Sequence, residues 1–249
     1  MAQAARRRAG ALTPIKDRSA VCVIGLSGVL IAFGNIADAW IGADPLAISW
    51  RGGAKAAGVL LIALAACRSG EIRRSELGIR RDGVVKSVIA GGGVALILGS
   101  VSLLALRFAP IAGGRVTYSP LQGEAVAPLL FHAVIALPLQ TALPEELAFR
   151  GVLLALLLRR VSPKRAAAVM SAVFVAWHMV VQAQTLAQTN VTSAVLVVPA
   201  AIVAVAGIFA GGLLFAWIRL GTGNLAGAVA AHWFFNAVLV LGLYALTHT

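Results

Sequence analysis

The chain has few charged residues, and this scarcity excludes an ordinary soluble domain. Only 12% of its 249 residues are Asp, Glu, Lys or Arg, whereas a soluble domain has roughly 25%. Acidic residues are especially rare, nine against 21 basic ones, and the mean hydropathy is +0.91. Lipid must therefore replace much of the burial that a soluble core provides, and we predict a polytopic membrane protein.

Cysteine is also scarce, and a recognisable nucleic-acid surface is missing. Cys22 and Cys67 both lie in apolar runs, so we interpret them as packing residues rather than as a disulfide framework or a metal site. The net charge of +12 would suggest nucleic acid in a soluble protein. The sequence contains neither a basic face nor a reading motif, so we expect membrane lipid and no nucleic acid as partner.

Long apolar runs dominate what is present. A transmembrane helix needs about 20 mostly apolar residues, and seven segments meet or approach this length. They are residues 20–41, 46–67, 84–106, 126–143, 166–182, 194–218 and 225–247. We predict an all-α transmembrane bundle of about seven to eight spans. It forms a single domain over residues 19–249 and follows a basic tail, residues 1–18.

The basic residues indicate the orientation of the bundle. If the N-terminus is cytoplasmic, only four of the basic residues fall in outside segments. These four are Arg51, Lys55, Arg107 and Arg115. We expect Arg51 and Lys55 to extend their long side chains toward the headgroups. The segregation predicts a multi-pass protein of the inner (plasma) membrane with a cytoplasmic N-terminus, because cytoplasmic loops are enriched in Lys and Arg.

Residues 126–158 have no clear loop but contain Pro138 and Pro144. Since proline removes a helix hydrogen bond, we expect a kinked span followed by an amphipathic or partly re-entrant helix. An eighth helix would be compatible with this stretch. Irregular backbone at membrane depth is tolerated against protein or a water-filled cavity, so this stretch predicts a polar cavity.

Three apolar segments carry polar residues at helical spacing. Glu146 and Arg150 are four residues apart and can pair, which leaves Glu145 free to act as a general base. Phe174 precedes His178 by one turn, and His232 precedes Asn236 by one turn; these pairs are spaced to share helix faces. Each pattern has an ordinary alternative: a solvated ion pair at a helix start, a histidine bonded to a carbonyl, or interhelical polar contacts. Together they favour a catalytic or transport cavity. Asn35, Asp38 and His132 show no interpretable spacing.

Three ordered motifs resemble those of the CAAX-protease and bacteriocin-processing family, also called the type II CAAX-prenyl-endopeptidase or Abi family. Residues 144–151, Pro-Glu-Glu-Leu-Ala-Phe-Arg-Gly, resemble its EExxxR motif. Residues 174–178 resemble its FxxxH motif, and residues 232–236 resemble its HxxxN motif. The resemblance covers about residues 125–245.

The resemblance implies an intramembrane endopeptidase. In it Glu145 and His178 would activate water, and His232 and Asn236 would stabilise the oxyanion. Glu146 and Arg150 would hold the site, with Phe174 as a supporting wall. The family has been described both as metal-dependent and as glutamate-type. The lack of an H-E-x-x-H motif and the placement of the histidines on different helices favour the metal-free type. Glu145, His178 and His232 are nevertheless also a set that could bind zinc.

Several functions fit these features. The leading one is hydrolysis of a membrane-associated or lipidated peptide or protein by glutamate-activated water. The alternatives are a non-catalytic membrane scaffold or immunity protein, and a small proton-coupled transporter that uses the same polar residues. No inverted repeat is apparent, which weighs against the transporter. The sequence does not define the substrate or the oligomeric state.

Overall fold

The computed structural model describes residues 13–42, 50–108 and 116–248, with side chains described from Ala20 onward. Across these ranges the protein is helical, with no β-strand. The helices are α1 (Thr13–Ile41), α2 (Trp50–Ser69), α3 (Arg74–Leu77), α4 (Val84–Arg107), α5 (Val126–Leu158), α6 (Pro163–Trp177), α7 (Met179–Ala187), α8 (Ala194–Thr222) and α9 (Leu225–Thr247). The predicted all-α membrane bundle is confirmed.

Six of these helices are long and apolar enough to cross a membrane, and α6 with α7 gives a seventh span if the bent pair counts as one. No eighth span occurs in the described ranges. Most of the basic tail, including Arg6, Arg7 and Arg8, lies outside the described residues, as do Arg115 and the predicted start of the second span at residue 46.

Helix α5 differs from the prediction at its two prolines. It runs without interruption from Val126 to Leu158, so the expected separate re-entrant helix is wrong. Two stretches of the helix, His132–Ala142 around Pro138 and Leu147–Leu153, have π-helical turns. Wider turns re-route the backbone hydrogen bonds that a proline cannot make. The helix is therefore continuous through this stretch.

The irregular backbone lies instead at His178. Helix α6 ends at Trp177 and α7 begins at Met179, with a bend of 50° between them. His178 has φ −92° and ψ 2°, the bridge conformation where active-site residues often sit. The sequence predicted one span over residues 166–182, so this break is a correction.

The connections rich in Lys and Arg meet at one end of the bundle, which we call the basic end (residues 70–83, 159–162 and 219–224). Arg159 donates to the Gly70 carbonyl and to the Glu76 carboxylate. Arg219 donates to the Glu76 and Leu77 carbonyls. Three connections predicted to lie on the cytoplasmic side are thus joined to one another.

Helices α4 and α9 form the most extensive helix pair in the described part of the chain. A side chain at Gly91 would overlap the carbonyl oxygen of Gly227, so the two backbones meet where neither residue has a side chain. Gly207 and Gly211 behave differently, because nothing lies within 4 Å of a Cβ at either position. A G-x-x-x-G pair in an apolar helix is typical of close helix packing, but this pair does not mediate it within this chain.

Candidate active site

Helix α5 carries two carboxylates and a guanidinium into the protein interior. Glu145 is 3% exposed, and Glu146 and Arg150 are 0% exposed. The alternative of a solvated ion pair at a helix surface is therefore wrong. Buried charges are normally paired, so their partners define the site.

Arg150 neutralises Glu146. Its Nη1 atom donates to Oε1 of Glu146 at 2.8 Å, as the four-residue spacing predicted. The guanidinium carbon lies 4.1 Å from the ring centroid of Phe174 and 5.4 Å from that of Phe215. Aromatic faces attract a desolvated guanidinium, and they help to explain why Arg150 is tolerated here.

His232 bonds to the same oxygen. Its Nδ1 atom lies 2.9 Å from Oε1 of Glu146. Glu146 therefore bonds to a residue of α9 as well as to Arg150. The sequence assigned Glu146 to Arg150 alone and missed this contact. The imidazole also stacks on Phe215, with centroids 5.8 Å apart. A carboxylate on one ring nitrogen fixes the orientation of the imidazole and leaves the other nitrogen, Nε2, to face a ligand.

Glu145 faces His178. Its Oε2 atom lies 3.8 Å from Nε2 of His178, which is contact distance and too long for a direct hydrogen bond. Within the described part of the chain, this buried oxygen has no hydrogen-bond donor. An unsatisfied carboxylate oxygen in a protein interior is costly. Oε2 of Glu146 also lacks a donor there, but Oε1 of Glu146 is bonded to Arg150 and His232, so Glu145 is the better candidate for the chemistry.

The other ring nitrogen of His178 is held by the backbone. Nδ1 lies 2.7 Å from the Phe174 carbonyl oxygen, and since a carbonyl only accepts, Nδ1 carries the proton. In the neutral ring Nε2 then bears the lone pair and faces Glu145. The Phe174 ring packs edge-on against His178 at 4.3 Å and lies 6.1 Å from the His232 ring.

Asn236 completes the set of candidates. It is half-buried on α9, one turn after His232, so the two side chains lie on the same face of that helix. All seven residues singled out from the sequence thus lie on α5, α9 and the broken pair α6–α7, and six of them contact one another directly.

The donor arrangement does not match a metal centre. Within the described ranges, no three His, Cys, Asp or Glu side chains are grouped so that they could hold a metal ion. Glu145, His178 and His232 are therefore not grouped as a three-ligand set. We derive no step through a metal.

A further polar group lies beside the site and was not predicted. Lys55 donates to Oδ1 of Asp38 at 2.5 Å and lies 4.9 Å from the centroid of Trp177. Asp38 is buried, so the expectation that Lys55 reaches the headgroups is wrong; its stem instead brings the ammonium to a buried partner. An acidic and a basic residue in consecutive apolar segments were the available signal. Asn35, one turn before Asp38, contacts the α6–α7 break.

Comparison with known proteins locates a family signature in the same region. Residues 126–238 match the family model described as type II CAAX prenyl endopeptidase Rce1-like. No curated protein and no solved structure shows a significant match to the chain. The matched segment contains every residue of the candidate site and confirms the predicted resemblance. Over residues 126–238, a little under half of its length, the chain therefore resembles the type II CAAX prenyl endopeptidase Rce1-like family.

Proposed function

We propose that this protein hydrolyses a peptide bond of a membrane-associated or lipidated substrate by water that Glu145 and His178 activate. The observation that carries the proposal is the contact between the Glu145 carboxylate and Nε2 of His178, 3.8 Å apart and both largely buried. Two acceptors at this separation can both contact one water molecule. A water that donates one proton to each acceptor directs its oxygen lone pairs toward a third group.

The reaction uses the water as nucleophile. Its oxygen attacks the carbonyl carbon of the scissile bond while Glu145 takes one proton, and the carbonyl oxygen becomes an oxyanion. Collapse of the tetrahedral intermediate re-forms the carbonyl and breaks the carbon–nitrogen bond. The proton held by Glu145 passes to the leaving amine. General acid–base assistance of this kind contributes roughly 10²–10⁴-fold to a rate.

His232 and Asn236 are proposed to stabilise the oxyanion. They lie on one face of α9, and preorganised donors aimed at a developing negative charge lower the barrier strongly. With Nδ1 bonded to Glu146, the atom of His232 that faces the oxyanion is Nε2. It donates when the ring is doubly protonated, with Nδ1 then donating to the Glu146 carboxylate. Glu146 and Arg150 hold the site through this network.

The substrate is proposed to enter from the cytoplasmic side. His232 lies seven residues after the start of α9 at Leu225, which is about 10 Å of helix from the basic end. Cytoplasmic loops are the positively charged ones, which supports a cytoplasmic basic end and N-terminus in the plasma membrane. With seven spans the C-terminus lies outside, so a C-terminal alkaline phosphatase fusion is expected to be active and a cytoplasmic reporter fused there inactive.

Purified protein in detergent, given a panel of internally quenched peptides, tests the proposal. The panel includes a farnesylated C-a-a-X peptide, its unprenylated form and transmembrane peptides. Glu145→Gln preserves the shape of the side chain, removes the proton acceptor and is expected to lower kcat at least 100-fold. Glu124→Gln, a carboxylate change outside the site, is the matched control. Equal cleavage by the wild type and the Glu145→Gln variant would remove Glu145 from the chemistry.

A deletion strain separates catalysis from scaffolding. If the protein acts as an enzyme, Glu145→Gln fails to restore the phenotype although it accumulates in the membrane at the wild-type level. Full complementation by that variant would support the scaffold instead. No metal or other cofactor is part of this proposal.

A further inference from the structure

The candidate base His178 is held at a break between two helices, and such a break exposes backbone groups. The last carbonyls of one helix and the first N–H groups of the next have no partner within their own helix. Helix α6 ends at Trp177 and α7 begins at Met179. At membrane depth there is little water to satisfy these groups, so a partner from elsewhere in the protein must do so.

Asn35 on α1 is that partner on both sides of the break. Its Nδ2 atom donates to the Ala176 carbonyl at 2.9 Å, and its Oδ1 atom accepts from the Val180 N–H at 2.9 Å. Nδ2 also donates to the Ile31 carbonyl one turn earlier on α1, at 2.8 Å. The amide therefore joins a residue two before His178 to a residue two after it, across more than 140 positions of sequence.

Neighbouring contacts on α1 reinforce both arms of the break. A Cβ at Gly34 would overlap the indole of Trp177, so only glycine lets α1 approach the end of α6 this closely. On the other arm, Gln184 of α7 donates from Nε2 to the Asp38 carbonyl at 3.3 Å. The segment from Gly34 to Asp38 thus contacts α6 and α7 at the same time.

We propose that Asn35 is a positioning residue that fixes the α6–α7 bend and thereby aims Nε2 of His178 at Glu145. Without the amide, the Ala176 carbonyl and the Val180 N–H lose their partner, and the two helices can relieve this by joining with a smaller bend. His178 would then turn away from Glu145. A displacement of about 1 Å at a reacting group can lower a rate by about 100-fold. This inference rests on the proposed role of His178.

The first test compares two asparagines that make equivalent numbers of backbone contacts. Asn224 donates to the Arg80 and Asp82 carbonyls and accepts from the Ala226 N–H, but it lies at the basic end. Asn35→Ala is expected to lower kcat about 100-fold with KM changed less than threefold. Asn224→Ala is expected to lower Tm without a comparable loss of kcat. A kcat loss at Asn35 no larger than that at Asn224 would overturn the inference.

A double substitution shows whether Asn35 acts through His178. In the His178→Ala background, Asn35→Ala is expected to change the residual rate less than twofold, because the group it positions is already gone. A 100-fold loss in both backgrounds would mean that Asn35 acts on something else. If His178→Ala alone retains the wild-type rate, the proposed function fails first; if His178→Ala is inactive while Asn35→Ala is fully active, only the positioning role fails.

Hydrogen exchange provides a readout that needs no substrate. In nanodiscs, the amide of Val180 and its neighbours through Gln184 should exchange at least tenfold faster in Asn35→Ala than in the wild type, and at the wild-type rate in Asn224→Ala. Asn35→Asp is the second variant. It keeps the size and the acceptor for Val180 but cannot donate to Ala176, so intermediate exchange is expected. Unchanged exchange in both Asn35 variants would contradict the inference.

Discussion

Nδ1 of His232 lies 2.9 Å from Oε1 of Glu146, although 86 residues separate the two in the sequence. The adjacent glutamates of α5 therefore serve different histidines: Glu146 contacts His232 on α9, while Glu145 faces His178 at the α6–α7 break. Oε1 of Glu146 is bonded to both Arg150 and His232, whereas Oε2 of Glu145 lies 3.8 Å from His178, beyond hydrogen-bond distance. This contrast separates the structural glutamate from the candidate catalytic one.

The Glu146–Arg150 pair should show strong coupling in stability. Glu146→Gln leaves the Arg150 guanidinium buried without a counter-charge and is expected to lower the free energy of unfolding by about 3–5 kcal/mol. Replacing both, as Glu146→Gln with Arg150→Met, removes the buried charge as well and should recover most of that loss. Unfolding in detergent followed by circular dichroism measures all three variants. Additive losses in the double variant would show that the pair is not coupled.

The close approach of α4 and α9 predicts a sharp difference between two glycines of one helix. Gly91→Ala introduces a Cβ that overlaps the Gly227 carbonyl, and a backbone atom cannot move aside cheaply. We expect a loss of about 1–3 kcal/mol and a lower Tm. Gly93→Ala is the control, because nothing lies within 4 Å of a Cβ there; it should be neutral or stabilising by about 0.5–1 kcal/mol. Equal Tm values for the two variants would argue against this packing.

The basic end should contribute a pH-dependent term to stability. Two hydrogen bonds from Arg159 hold the pKa of Glu76 below its usual value of 4.5. Because the folded pKa is the lower one, this stabilisation is fully present above about pH 4.5 and is lost as the pH falls through the folded pKa. Glu76→Gln should cost about 0.5–1 kcal/mol at pH 7, since the pair is partly exposed.

Thermal unfolding between pH 3 and pH 8 measures this effect. The difference in Tm between the wild type and Glu76→Gln should shrink toward zero at the acid end of the range. Glu71→Gln, an exposed carboxylate of the same connection, serves as the control and should show little difference at any pH. A Glu76→Gln difference that stays constant with pH would contradict the assignment.

Metal removal is expected to leave the activity unchanged. The prediction follows from the donor geometry, because no three His, Cys, Asp or Glu side chains of the described ranges are grouped to hold an ion. Protein treated with phenanthroline and then dialysed should cleave the active peptide of the panel at the untreated rate, with metal content measured by mass spectrometry. Loss of activity on treatment, restored by stoichiometric zinc, would show that the donors rearrange around a metal.

Local evidence in the sequence was sufficient to predict which candidate residues share a helix face. Helical spacing placed Glu146 with Arg150 and Phe174 with His178 on shared faces, and the structure has both contacts. The family motifs supplied the pairing of distant helices that spacing alone cannot give. The apolar runs likewise predicted the spans to within a few residues in most cases.

What the sequence could not predict depends on contacts between distant residues. Nothing near Val175 or Met179 signals a helix end; the break exists where Asn35, far away in the chain, satisfies the exposed backbone groups. The prolines of α5 predicted a separate helix that the structure lacks, because π-helical turns around Pro138 keep the helix continuous. The sequence predicted that Lys55 contacts the headgroups, because nothing in it pairs Lys55 with Asp38 on α1.

Helix α9 packs against α4, which lies outside the family-matched segment, so that segment does not contain all of its own packing partners. The last helix packs along residues 84–107 of α4, and the amide that bonds both sides of the α6–α7 break belongs to α1. A fragment of residues 116–249 alone would therefore lack the helices α1 and α4 against which it packs. When it is co-expressed with a second fragment that carries residues 1–115, it should fold by associating with that fragment in the bilayer.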